Sequence, residues 1–366
     1  MLLKAVLLLN MSNKAISSNT LVTRALEALK DKLPSGWEVR ISSQPGFDQY
    51  RPDAVAEVLG PDDAKATVLV EAKPSLTARQ ASDLGTRLNQ IARKAGAGTV
   101  LVVTRFAGEL ARDRLRNAGL SYLDLTGNAW INLERPGLFI SSQGAANDPS
   151  PTRRGIRSLK GAKAARLVRA LCDWRPPVGI RDLAKRAGTN PGYTSRVISL
   201  LEEEDLIERG SGNRVEKVDW QGLLRRWSRD YEVAKSNRAV SYLDPRGLIA
   251  FTERLRQFNE LYALTGSLAV PAVAAVAPAA RALCYVQIPE SAADQLDLRP
   301  IETGANVLML EPFDTVVFER NSEQSGQRVV APTQCVVDLL TGIGREPAEA
   351  ESLLSWMAAN EHVWRA

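Results

Sequence analysis

Apolar residues recur at helical spacing over residues 17–32, where Leu21, Ala25, Leu26 and Leu29 fall on one side. Three short apolar runs follow, WEVRIS, DAVAEVL and TVLVEAK, and each reads as a strand. Helical spacing returns over 77–95. The run GTVLVVT has the character of a buried strand, and residues 107–118 are again helical. LSYLDL, NAWINL and GLFIS complete the series. Helices that alternate with apolar strands predict an α/β domain with a mixed sheet over residues 1–142. The opening MLLKAVLLLN is apolar but short and interrupted by Lys4. It reads as a strand, as a disordered start, or as residues upstream of a true start at Met11. Residues 143–156, QGAANDPSPTRRGI, are rich in Gly, Asn, Pro and Arg and predict a linker.

The pattern changes over 157–240. SLKGAKAARLVRALCDW predicts a helix with Leu159, Leu167, Val168 and Leu171 inward and Lys160, Lys163, Arg166 and Arg169 supplying charge. Ile180, Leu183, Ala184 and Ala187 form one face of a second helix, which Gly188 ends. Asn190 and Pro191 stand where an N-cap and a first-turn proline belong. Thr194, Val197, Ile198 and Leu201 then line the inner face of a third helix. IERGSGNRVEKV predicts two short strands turning at Gly210–Asn213, with Arg209, Arg214 and Lys217 flanking the tip. VDWQGLLRRWSRDYEV predicts a closing helix with Leu223, Leu224 and Trp227 inward. Helix, turn, helix and basic hairpin together have the layout of a winged helix-turn-helix. The plain alternative is a helical hairpin with a solvated surface.

In that layout Asn190, Tyr193, Ser195, Arg196 and Ser199 point away from the core. Arginine pairs with guanine edges, and serine and tyrosine reach phosphates. With Arg209, Asn213 and Arg214 they form the candidate DNA-contacting set. Charge agrees with this placement. Residues 151–240 hold 20 Lys/Arg against 11 Asp/Glu, a surplus of +9, whereas residues 241–366 hold 9 against 16, a deficit of −7. A localised basic surplus is the footprint of a phosphate-binding module. The acidic C-terminal part is better suited to a protein partner.

Composition removes several chemistries. The chain has one histidine, His362, and three widely separated cysteines, Cys172, Cys284 and Cys335. Ser/His, Cys/His and structural zinc arrangements are therefore excluded as leading readings. Catalysis would rest on carboxylates, lysine and a hard cation. No stretch has the length and hydropathy of a membrane span, so the expectation is a cytoplasmic, nucleoid-associated protein without membrane contact.

One such carboxylate set is visible. Asp53 follows Pro52 at a strand start, and after seventeen intervening residues Glu71-Ala72-Lys73 ends an apolar strand. Residues two apart on a strand share a face, so Glu71 and Lys73 project together, and an adjacent strand places Asp53 beside them. Two carboxylates can hold Mg²⁺, with the lysine beside it. This pattern resembles the PD-(D/E)xK nuclease superfamily over roughly residues 15–142. The resemblance adds Glu27 on the first helix as a possible third acidic group and Gln80 or Gln90 as the glutamine after the lysine. Tyr122–Asn128, YLDLTGN, resembles a stretch found in nuclease-like domains joined to winged helices in bacterial regulators. Read on its own it is a turn, with Gly127 and Asn128 supplying positive φ.

Residues 241–366 read as α+β, with a helix over LIAFTERLRQFNELYALTG, a packed helix and turn in VPAVAAVAPAARA, a strand in ALCYVQI and a terminal helix. YALTGS resembles the glycine-serine turn of nucleotidyltransferase folds. The next strand, Leu283 to Gln287, lacks the Asp-x-Asp pair that such enzymes use. Any relationship would thus be to a degenerate member. The alternative is a glycine ending a helix. From the helix-turn-helix onward, GYTSRVISLLEEEDLIERG, VDWQGLLRRW, YALTGS and VVDLLTGIGR resemble AbiEi-type transcriptional regulators, the antitoxins of type IV toxin–antitoxin systems. The nuclease-like N-terminal part departs from them.

The expectation is thus a multidomain α/β plus α+β protein, divided at 1–142, 143–156, 157–240 and 241–366. Its expected role is sequence-specific binding of double-stranded DNA as a regulator, acting as a homodimer. Alternatives are a Mg²⁺-dependent endonuclease targeted by its winged helix, or an antitoxin neutralising a nucleotidyltransferase-like toxin.

Overall fold

The computed structural model describes residues 16–42, 51–61, 64–95, 97–150 and 158–366. The opening apolar decapeptide and residues 151–156 of the expected linker lie outside them. The fold is mixed α/β, and the chain separates into two compact units, residues 1–154 with 203–205, and residues 155–202 with 206–366. Among the described residues no helix is long and apolar enough to cross a membrane.

The first unit is built on a seven-stranded sheet whose spatial order follows the chain, β1 (Glu38–Ser42), β2 (Ala54–Leu59), β3 (Lys65–Lys73), β4 (Thr99–Thr104), β5 (Ser121–Asp124), β6 (Ala129–Leu133) and β7 (Leu138–Ser142). β3, β4 and β5 are parallel, and the other neighbours antiparallel. Among the described residues three helices cover it: α1 (Ser18–Lys30), α2 (Ala78–Ala95) and α3 (Glu109–Asn117). Strand alternation decides which helix covers which face. Val68, Val70 and Ala72 of β3 pack with Leu21, Ala25 and Leu26 of α1. Leu69 faces the other way, into a cluster with Leu84 and Leu88 of α2 and Leu115 of α3. All six residues of β4 are buried, as a strand covered on both faces requires. Every strand and helix expected over 17–142 is present. The first half of the expected linker is tied down: Arg105 binds Asp148 at 3.0 Å and the Ser150 carbonyl at 2.6 Å.

The second unit begins with α4 (Ala162–Asp173), β8 (Val178–Gly179), α5 (Ile180–Arg186), α6 (Pro191–Glu203), β9 (Ile207–Arg209), β10 (Arg214–Val218) and α7 (Trp220–Ser228). The three strands form an antiparallel sheet, with β10 between β8 and β9. A short α8 (Val233–Ser236) leads to a seven-stranded sheet in the order β14 (Arg299–Pro300), β11 (Arg238–Leu243), β15 (Val307–Glu311), β13 (Ala282–Val286), β12 (Tyr262–Thr265), β17 (Gln327–Val329) and β16 (Ser322–Gln324). The helices of this part are α9 (Gly247–Leu255), α10 (Pro289–Gln295), α11 (Pro332–Leu340), α12 (Glu346–Ala359) and α13 (Glu361–Trp364). The expected boundary at 240/241 falls inside β11, and α11 packs against both α4 and α7.

Several expectations for 241–366 need correction. The long helix over 248–266 stops at Leu255, and Tyr262–Thr265 is a fully buried strand. Gly266 therefore ends no helix; it follows β12 with φ +65° and opens a 3-10 turn. The alanine-rich stretch from Val270 to Ala282 holds turns and bends but no helix.

Candidate nucleic-acid interface

The third helix of the basic segment, α6, is placed by its own N-terminus. The Asn190 side chain accepts from the Tyr193 backbone N–H at 2.8 Å, the N-cap geometry expected of it. Gly188 turns the chain with φ +57°. Thr194, Val197, Ile198 and Leu201 are buried, as their spacing predicts. Tyr193, Ser195 and Ser199 are half-buried and Arg196 is exposed. Partial burial pushes the Tyr193 phenol above its ordinary pKa, so it stays a neutral hydrogen-bonding group.

The hairpin tip is a 3-10 turn, Ser211–Asn213, in which Gly212 and Asn213 take φ +69° and +58°. Arg214 is exposed. The side chains of Arg196 and Arg214 make no hydrogen bond or ion pair with any described residue. Arg209, by contrast, binds Glu202 through Nε at 2.7 Å and Asn213 Oδ1 at 3.1 Å. It braces the hairpin against α6 instead of standing free for phosphate. Lys217 pairs with Glu208 across the strands at 2.8 Å. The same spending of charge holds on α4. Arg169 is buried, bound to Asp173 at 2.9 Å and to the carbonyls of Val316 and Glu319. Arg166 pairs with Asp314 at 2.6 Å. Part of the basic surplus in residues 151–240 is thus structural.

The carboxylate pair of the first unit is brought together. Ala54 pairs with Val70, so Asp53, one residue earlier, lies in register with Glu71. Asp53 accepts from the Ala72 N–H at 2.8 Å, and Glu71, buried, pairs with Lys73 at 2.6 Å. Val55 and Leu69 share one face of the sheet, which puts Asp53, Glu71 and Lys73 there too. Glu27 is exposed on α1, which packs on the opposite face. Among the described residues no three acidic, histidine or cysteine groups gather to hold a metal. Two carboxylates still suit a cation that keeps waters and takes phosphate oxygens. Gln80 is spent elsewhere: its side chain accepts from the Thr77 N–H while Thr77 Oγ1 accepts from the Gln80 N–H. This reciprocal capping box is legible as T-x-x-Q before α2. Gln90 is exposed.

YLDLTGN forms a buried knot. Asp124 accepts from the backbone N–H of Thr126, Asn128 and Ala107, the Thr126 hydroxyl and the Asn128 amide, at 2.7–3.0 Å. Gly127 has φ +105°, but Asn128 is not in the left-handed region. Its side chain does the work instead, accepting from Arg112 and from the Gly144 N–H and donating to the Ala145 carbonyl. A second buried network surrounds Asp338 in the second unit. It accepts from Tyr231, Tyr285, Thr265 and Gln334 at 2.7–3.1 Å. The three cysteines are buried, with thiols pushed up by burial, and His362 is exposed.

A scan against protein-family models and a search of curated proteins match nothing to this chain.

Proposed function

We propose that this protein is a sequence-specific double-stranded-DNA-binding transcriptional regulator of the winged helix-turn-helix type, similar to AbiEi-type regulators over its second unit. The observation that carries this reading is the pair Arg196 and Arg214. Most other arginines of the segment are committed to carboxylates or carbonyls, whereas these two stand exposed and uncommitted on α6 and at the hairpin. The order α4, β8, α5, α6, β9, β10 supports it, since a three-stranded sheet behind a helix-turn-helix leaves the third helix free for the major groove. Binding as a homodimer would read two half-sites.

Arg196→Ala is expected to cost about 1–3 kcal/mol on the preferred site and little on random duplex, as loss of a guanine contact would. Arg214→Ala is expected to weaken all sequences alike and to lower the salt slope by about 1. Fluorescence anisotropy with the full chain, across a salt series, reads both. The parent slope should be roughly −5 on a log–log plot for about six phosphate contacts. Parent-like binding by both variants sinks the docking.

A second reading has its own observation, the convergence of Asp53, Glu71 and Lys73 on one sheet face. Asp53 and Glu71 would hold Mg²⁺, which supplies charge stabilisation at a phosphate. In that reading the full chain nicks plasmid with Mg²⁺ or Mn²⁺, and Asp53→Ala and Lys73→Ala abolish nicking while duplex affinity persists. A parent chain that leaves plasmid intact across both metals removes this reading.

A further inference from the structure

A cavity of about 680 Å³ opens between the start of α4 and the ends of α7 and α11. Its acidic groups are already spent: Asp230 accepts from Arg226 and from the Leu159 N–H, and Glu232 pairs with Lys235. A second cavity, of about 400 Å³, is different. Leu353, Trp356, Val363 and Trp364 give it apolar and aromatic walls, and Arg320 and Asn321 stand in its lining. That volume is within the range of small-molecule sites, about 300–1,000 Å³. Arg320 is held at φ +55°, a left-handed conformation that an arginine adopts only when its surroundings impose it. One of its N–H groups donates to the Trp364 carbonyl at 2.8 Å, and no carboxylate among the described residues pairs with it. A half-buried guanidinium with donors to spare, beside two indoles, is a receptor for an anion carrying an apolar body.

Two residues of the cavity lining, Arg320 and Trp364, contact the segment read above as DNA-binding. The Arg320 guanidinium lies 4.7 Å from the centre of the Trp174 ring, and Arg186 of α5 lies 4.3 Å from the same ring. Trp364 meets Trp220 edge-on at 4.9 Å, and Trp220 is the first residue of α7, directly after the hairpin. Two aromatic contacts thus lead from the cavity wall, one to the first helix of the helix-turn-helix and one to the end of the wing.

We propose that this cavity binds a small molecule with an aromatic or branched apolar body and a carboxylate, and that its occupancy is relayed to α5 and α6 through Arg320–Trp174–Arg186. The carboxylate engages Arg320 and the body packs on Trp356 and Trp364. Drawing Arg320 toward the ligand changes the charge against the Trp174 ring, and so the footing of Arg186, which lies over the same ring. The ligand shifts the segment only as far as it binds one arrangement better than the other. The relay's effect on DNA rests on the function proposed above; the binding site does not.

The test uses the full chain and calorimetry with indole-3-acetate, 2-naphthoate and 4-methylpentanoate, each beside its neutral amide. At least one acid is expected to bind with a Kd below about 1 mM, with its amide about tenfold weaker. Arg320→Gln should lose that preference. Val363→Glu, at an exposed rim position, should repel the acid about tenfold without disturbing the fold. Hydrogen exchange of residues 180–203 should change on saturation with the acid and not with the amide. Absence of binding by all three acids overturns the site, as does equal affinity of acid and amide. Binding that leaves exchange at 180–203 unchanged overturns the relay. A chain that binds the acid but no duplex overturns the regulator reading alone, because calorimetry and exchange need no DNA.

Discussion

Asp338→Ala is expected to destabilise the second unit by about 4 kcal/mol or more. The substitution removes the acceptor shared by Tyr231, Tyr285, Thr265 and Gln334 in a site with no access to water, where the two tyrosine hydroxyls, 2.9 Å apart, can still bond each other but the Thr265 hydroxyl, the Gln334 amide and one tyrosine proton lose their Asp338 acceptor. Each stranded donor costs about 1–3 kcal/mol, and sums of that kind mark the severe end of single substitutions. Five of the seven tryptophans, Trp174, Trp220, Trp227, Trp356 and Trp364, belong to the second unit, so fluorescence follows its unfolding. A variant that melts within a few degrees of the parent would mean the network is dispensable. The same carboxyl carries a pH signature. Burial pushes it from an ordinary 3.8 up to about 6, against the pull of its four donors. The folded chain therefore holds this proton more tightly than the unfolded chain does. Its contribution is complete below about pH 4 and is lost as pH rises through about 6. At about 1.4 kcal/mol per pKa unit, the parent should lose up to about 3 kcal/mol over that window. Asp338→Asn, which cannot titrate, should lose correspondingly less. Parallel stability profiles for the two chains would contradict the assignment.

None of that network is visible along the chain, because its members are up to 107 residues apart and each looks like a core residue of its own element. What periodicity does show is which face of an element is buried. On α1 and α6 the apolar spacing names the inner residues, and the Asn190 cap and Gly188 turn follow from local chemistry. Periodicity does not show which side of the sheet a helix takes. Asp53 and Glu71 were legible as neighbours, since strand register joins them, while Glu27 was carried to them by resemblance and stands on the opposite face. Nor does it separate a four-residue buried strand from a buried turn of helix, which is why Tyr262–Thr265 read as helix. β8, two residues long, gives no pattern at all. Charge misleads in a similar way. Arg169 and Arg209 count toward a basic footprint, yet their carboxylate partners, Asp173 and Glu202, are only four and seven residues away. Geometry, not composition, separates them from Arg196 and Arg214.

Asp124→Ala is expected to be the most damaging single change in the first unit, at about 3–5 kcal/mol. Asp124 accepts five hydrogen bonds, three of them from backbone N–H groups, and water cannot replace it in a site that is 1% exposed. Losing it also releases Asn128, whose amide holds Gly144 and Ala145, and with them the chain leaving β7. Gly144 shows how tight that packing is: a Cβ there would lie 2.3 Å from the Thr126 carbonyl oxygen. Hydrogen exchange of amides 104–145 should accelerate in Asp124→Ala before the rest of the sheet opens. Asp124→Asn keeps one acceptor oxygen for the Thr126 N–H and hydroxyl and the Asn128 N–H but turns an NH₂ toward the Ala107 N–H and the Asn128 amide, so it should fall between parent and alanine. Graded loss of protection in that order identifies YLDLTGN as a brace that closes the sheet. A fully protected Asp124→Ala chain would remove the brace and leave a buried carboxylate, ringed by donors, whose purpose is not to hold this fold together.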